Sequence, residues 1–103
     1  MYAMKAKLIR THKAIKLKRF NIGHRTYRVT WQKELIDRKY VGLVNHTTHQ
    51  IKLQEGRMQE DMTETTYHEI VHCAQAILGL NFSERTVRAL GSLIAQAVIT
   101  MEK

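Results

Sequence analysis

Between Arg25 and Trp31 the chain reads Arg-Thr-Tyr-Arg-Val-Thr-Trp, with Tyr27, Val29 and Trp31 at every second position. A period of two gathers those side chains on one face of a strand, and no helix could put them on one side. Upstream, Ile15 and Leu17 alternate with Lys16 and Lys18, Phe20 ends the arm, and Asn21 to His24 with Gly23 supplies a turn. Residues 15–31 therefore read as a β-hairpin. A second hairpin follows, with Tyr40 to Val44 as one arm and Asn45-His-Thr-Thr48 as its turn. His49 to Gln54 forms the other arm, with Ile51 and Leu53 facing inward.

After Gly56 the period changes. Tyr67, Ile70, Val71, Ala74, Ile77 and Leu78 recur at helical spacing and predict a helix over 62–78. Asp61 is placed to cap it, Glu64 to complete a capping box, and Gly79 to stop it. Ser83 caps a second helix whose apolar positions are Val87, Leu90, Leu93, Ile94, Ala97, Val98 and Met101. Gln32 to Lys39 is short and polar, about one helical turn. Strands first and helices afterwards give an α+β class: a small antiparallel sheet of two hairpins packed on two C-terminal helices. The chain has 103 residues and no proline, so we expect one domain over 14–103 preceded by a basic N-terminal arm over 1–13. That arm reads equally as a short basic helix or as irregular.

Composition narrows the setting. Cys73 is the one cysteine and cannot form an internal disulfide, which fits the reducing cytoplasm. No apolar run reaches the roughly 18 residues of a membrane span, and the basic N-terminus lacks the apolar core of a secretory signal. Net charge is +8, but residues 1–39 carry +10 and the remainder −2. Lys5, Lys7, Arg10, Lys13, Lys16, Lys18 and Arg19 fall in the first twenty residues without an acid among them. Such a bias suits a nucleic acid or an acidic protein partner, or serves solubility.

His68-Glu69-Ile70-Val71-His72 is H-E-x-x-H inside the first predicted helix. Positions i and i+4 stand one turn apart on one face, so both imidazoles can reach a single Zn²⁺. The glutamate between them lies beside the ion, where a carboxylate can accept a proton from bound water. Two histidines alone do not make a site. Glu84, in the first turn of the last helix and three residues before Val87, is the leading candidate for a third ligand. Glu64, which makes an i, i+4, i+8 ridge with the histidines, is its rival. His46, His49, Tyr67 and Arg88 are candidate donors to a developing oxyanion. The bland alternatives are solvated turn histidines at 46 and 49, a packing role for Cys73, and core aromatics at Tyr27 and Trp31.

Tyr40-Val-Gly-Leu-Val44, Ile51-Lys-Leu53 and Thr66-Tyr-His-Glu-Ile-Val-His72, followed by a loop and a final helix, resemble the ImmA/IrrE-type zincin metallopeptidases. The short versions encoded by phages and mobile elements are the most similar. The resemblance implies a minimal zincin fold, zinc on His68 and His72, Glu69 as general base, and an acidic third ligand from the following helix. Glu84 matches that acid, although one placement of the helix sets Arg88 there instead.

Two functions follow as expectations. One is a zinc-dependent peptidase acting on a protein substrate in the cytoplasm, the host's if phage-encoded. The strand Gln50 to Gln54 would offer it a sheet edge for an extended peptide. The other is a catalytically degenerate scaffold whose basic region grips nucleic acid or a host protein.

Overall fold

The computed structural model describes residues 17–33 and 40–101. The basic positions Lys5, Lys7, Arg10, Lys13 and Lys16, the start of the first predicted strand and most of the predicted turn over 32–39 lie outside the described residues. Strands β1 (Arg19–Ile22), β2 (Arg25–Gln32), β3 (Gly42–Asn45) and β4 (Gln50–Gln54) precede helices α1 (Gln59–Leu78) and α2 (Glu84–Ile99). The α+β class and both hairpins are as the sequence predicts.

The way the hairpins join is not. The strand order is β1-β2-β4-β3, and β2 pairs with β4 in parallel, Val29 opposite Ile51 and Trp31 opposite Leu53. The sheet is therefore mixed rather than antiparallel. Each hairpin is antiparallel within itself, but β3 lies at the far edge and β4 stands between β2 and β3. Its inward residues Ile51 and Leu53 are both buried to 1% exposure, which explains why the central place falls to β4. With Tyr27, Val29 and Cys73 they make the core, flanked by Phe20, Ile22, Trp31, Val44 and Ile77. The indole N–H of Trp31 donates to the Leu17 carbonyl at 3.0 Å.

Helix α1 begins earlier than the sequence suggests. Met58 takes the N-cap position without a side-chain cap, so Asp61 sits inside the first turn and makes no capping box with Glu64. Hydroxyls of Thr63, Thr65 and Thr66 bond back to the carbonyls of Gln59, Asp61 and Met62, which lets polar side chains lie along a packed helix. The stop is as expected: Gly79 adopts φ 68° and the Leu80 N–H donates to the Gln75 carbonyl. Ser83 caps α2 by accepting from the Thr86 N–H at 3.1 Å.

The seam of α2 differs from the predicted stripe. Val87, Gly91, Ala95 and Ile99 face inward, while Leu90, Leu93, Ile94 and Met101 are exposed. A Cβ at Gly91 would stand 2.8 Å from the Cα of His68, so the two backbones meet there. A ridge of small residues gives closer helix contact than leucines could, and α2 turns that ridge to α1. Val87→Ala should cost about 2 kcal/mol of unfolding free energy, whereas Leu93→Ser should change it by less than about 0.5 kcal/mol. Urea midpoints of the two variants measure the contrast, and equal losses would refute this seam.

Candidate metal centre

The register of β3 with β4 leaves the outer edge of β3 beside α1. Between them opens a cleft of about 800 Å³, walled by Gly42, Leu43 and Val44 on one side and by Thr65, His68, Glu69 and His72 on the other. Arg57, Glu84 and Arg88 complete its rim. The close approach depends on Gly42, because a Cβ there would fall 2.8 Å from Thr65 Cγ2 and 3.2 Å from Glu69 Cγ. The strand expected to form the edge, Gln50 to Gln54, is instead interior. A central strand is paired on both sides, so within this hairpin the free backbone groups beside the cleft belong to β3. Gln54 N–H donates to the Val41 carbonyl, so by antiparallel alternation the N–H and C=O of Gly42 and Val44 point outward.

His68 and His72 stand side by side in the cleft, their rings 4.9 Å apart at 72°. Glu84 reaches over from α2 to both: Oε1 lies 2.9 Å from His68 Nε2 and Oε2 3.3 Å from His72 Nε2. These three ligand atoms lie within 4.8 Å of one another, and the group could hold a metal ion. Glu84, half-exposed to solvent, leaves one side of the group open. Glu64 lines the same cleft but stands outside this group, and so does Arg88, one turn beyond Glu84.

No family model, curated protein or solved structure matches this chain. The reading of the centre therefore rests on its own geometry and chemistry.

The electrostatics suit a cation held among these groups. Glu69 is only 6% exposed, and burial first, then the Glu84 carboxylate, pushes its carboxyl up to about 7. Burial likewise lowers the His72 imidazole despite the opposing pull of Glu84, favouring the neutral ring that a metal needs. Gln75 holds His72 from behind, its amide N–H donating to Nδ1 at 3.1 Å while its carbonyl accepts from the Phe82 N–H at 3.0 Å. Were His72 to hold an ion through Nε2, its ring proton would stand on Nδ1, and the Gln75 amide is the neighbour placed to fix that tautomer.

Other candidates lie elsewhere. Tyr67 is not among the cleft residues. His46 and His49 line a separate cavity of about 510 Å³ with His24, Arg25 and Tyr27. His49 accepts from Arg25 at 3.0 Å, and the Tyr27 hydroxyl and His46 Nδ1 share a hydrogen bond of 3.3 Å. Cys73 is fully buried and its thiol is pushed up to about 12, chiefly by that burial, as suits a packing residue. Lys18 and Arg19 are exposed, and Arg19 belongs to β1 rather than to an arm. Sequence reasoning missed Gly42, Gly91 and Gln75. Gly91 left one signal, since a glycine inside a helix costs stability unless something must approach it.

Two outcomes test this arrangement. Alanine for glycine inside a helix ordinarily stabilises by about 1 kcal/mol, but Gly91→Ala should destabilise by about 1–3 kcal/mol. Its methyl would drive α2 from His68 and carry Glu84 away, so the zinc dissociation constant in a chelator competition should rise as well. A stabilised variant with unchanged affinity would refute the close approach. For Glu69, the folded carboxyl keeps its proton to about pH 7 while an ordinary glutamate releases it near 4.5. The native state then binds more protons across that window, so stability of metal-free protein should fall as pH rises from 4.5 to 7. Glu69→Gln should remove the decline and leave the metal-free variant more stable above pH 7, as read by urea midpoints in chelator.

Proposed function

We propose that this chain is a zinc-dependent peptide hydrolase of the zincin type. The observation that carries the reading is Glu84, whose two carboxylate oxygens face the Nε2 atoms of both H-E-x-x-H histidines from a different helix. Two imidazole nitrogens, one carboxylate and an open side make a donor set suited to zinc in a catalytic rather than a structural role. An ion bound there would supply Lewis acidity toward a carbonyl and make a neighbouring water more acidic.

The remaining work belongs to the chain. Glu69 holds its carboxyl beside the cleft, where burial raises its proton affinity in the metal-free chain, and a bound cation would favour the ionised form that a general base needs. The outward N–H and C=O groups of Gly42 and Val44 offer an extended peptide a strand to pair with, laying its backbone along His68 and Glu69. Arg88, on the rim, is within the same cleft and is the candidate donor to a developing oxyanion. The resemblance of Thr66-Tyr-His-Glu-Ile-Val-His72 to ImmA/IrrE-type peptidases agrees with this reading and suggests a phage or mobile-element setting. No helix among the described residues is long and apolar enough to cross a membrane. The lone thiol at Cys73 fits a cytoplasmic setting for the chain, and a protein substrate there.

Metal analysis and peptidase assays on the same preparations test the proposal. Wild-type protein purified without chelator should carry about one zinc per chain, and His68→Ala should lose it. Glu69→Gln should retain the metal while cleavage of an unfolded casein substrate drops by about a hundredfold or more. Folded wild type that takes up no zinc, or a Glu69→Gln variant of undiminished activity, would overturn the reading.

A further inference from the structure

The sheet has one packed face and one open one. Tyr27, Val29, Ile51 and Leu53 fill the side toward α1. The intervening residues Arg19, Arg28, Thr30, Gln50 and Lys52 are exposed on the opposite side, and no described element covers them. The register makes this face a continuous cationic patch. Arg19 lies directly opposite Arg28, Arg28 opposite Gln50, and Lys52 two positions on from Gln50, diagonal to Arg28. Three positive charges thus run obliquely across β1, β2 and β4.

Among the described residues nothing balances them. None of the strands carries an acid, and no ion pair joins Arg19, Arg28 or Lys52 to a carboxylate among the described residues. Like charges directly opposite across a strand pair are destabilising. A sheet with a merely solvated face has no need of this arrangement, since one acid at Thr26 or Gln50 would relieve it. A polyanion relieves it equally. Thr30 and Gln50, interleaved with the cations, are the side chains that donate to phosphate oxygens. Among the described residues no aromatic ring stands on this face for a base to stack on, so its chemistry suits backbone phosphates of a duplex rather than an unpaired strand.

We infer that the open face of the sheet, through Arg19, Arg28 and Lys52, binds the phosphate backbone of double-stranded DNA without sequence preference. The inference is independent of the hydrolase reading, because the metal group lies on the other side of β3 from these residues. It assigns the positive charge of this chain a folded surface in addition to the basic residues before it.

The test is fluorescence anisotropy of a labelled random-sequence duplex with the full chain, across about 50 to 200 mM KCl. Replacing Arg19, Arg28 and Lys52 together by Gln should make the log–log salt dependence shallower by about 2 to 3, at about 0.9 for each phosphate no longer neutralised. Binding at the lowest salt should weaken at least about tenfold, while zinc content stays at the wild-type value. Removing opposed charges should leave the melting temperature undiminished; Arg28→Gln alone, with a slope change of about 1, serves if the triple variant misfolds. No duplex binding at the lowest salt, or an unchanged slope in the variants, overturns the inference. So does tighter binding of polyglutamate than of duplex, which would assign the face to an acidic protein.

Discussion

The site depends on one close approach, that of Gly91 to the backbone of His68. Glu84 projects from α2 two turns before Gly91, so the distance between the helices at that glycine sets how far the carboxylate must reach. With a side chain at 91 the helices would separate, and the acid would stand off from the imidazoles. The rest of the α2 seam is arranged to serve this proximity. Val87 and Ala95 flank the glycine at intervals of four and are buried to 0% and 2% exposure, while larger leucines are turned out. The helix pair thus gives up apolar burial to hold a polar group in place.

A second close approach, Gly42 on Glu69, acts on the proton affinity of that carboxyl. Burying a carboxyl that would otherwise be ionised is costly, and natural cores avoid it. Here the strand edge excludes water from Glu69 while the adjacent Glu84 carboxylate adds repulsion, so the acid is poised near neutrality instead of near its ordinary value. The burial costs the metal-free chain stability wherever an ordinary glutamate would be ionised. Strained or unfavourable groups concentrate where chemistry is done.

The mixed sheet connects these features. Because β4 occupies the centre, β3 becomes the edge and lies against the histidine helix with its free backbone groups outward. The same insertion brings Lys52 beside Arg28 and assembles a cationic face from three strands. A simple meander of the two hairpins would have placed the edge elsewhere and divided the charges. One topological choice therefore produces both the cleft on one side and the basic surface on the other.

Much of this was legible without a structure. Alternation over Arg25–Trp31 and Gln50–Gln54 determined strands and their inward residues, Ser83 and Gly79 determined helix ends, and the spacing of His68 and His72 determined a shared face, because all of these are local consequences of backbone geometry. The selection of Glu84 over Glu64 was a matter of helix packing, and so were the exposed leucines of α2. The parallel joining of the hairpins, the burial of Glu69 and the part played by Gln75 were likewise decided only by tertiary structure. Each turns on which surfaces meet across long stretches of chain, and a glycine that permits close packing leaves the same mark in a sequence as one that merely loosens a helix.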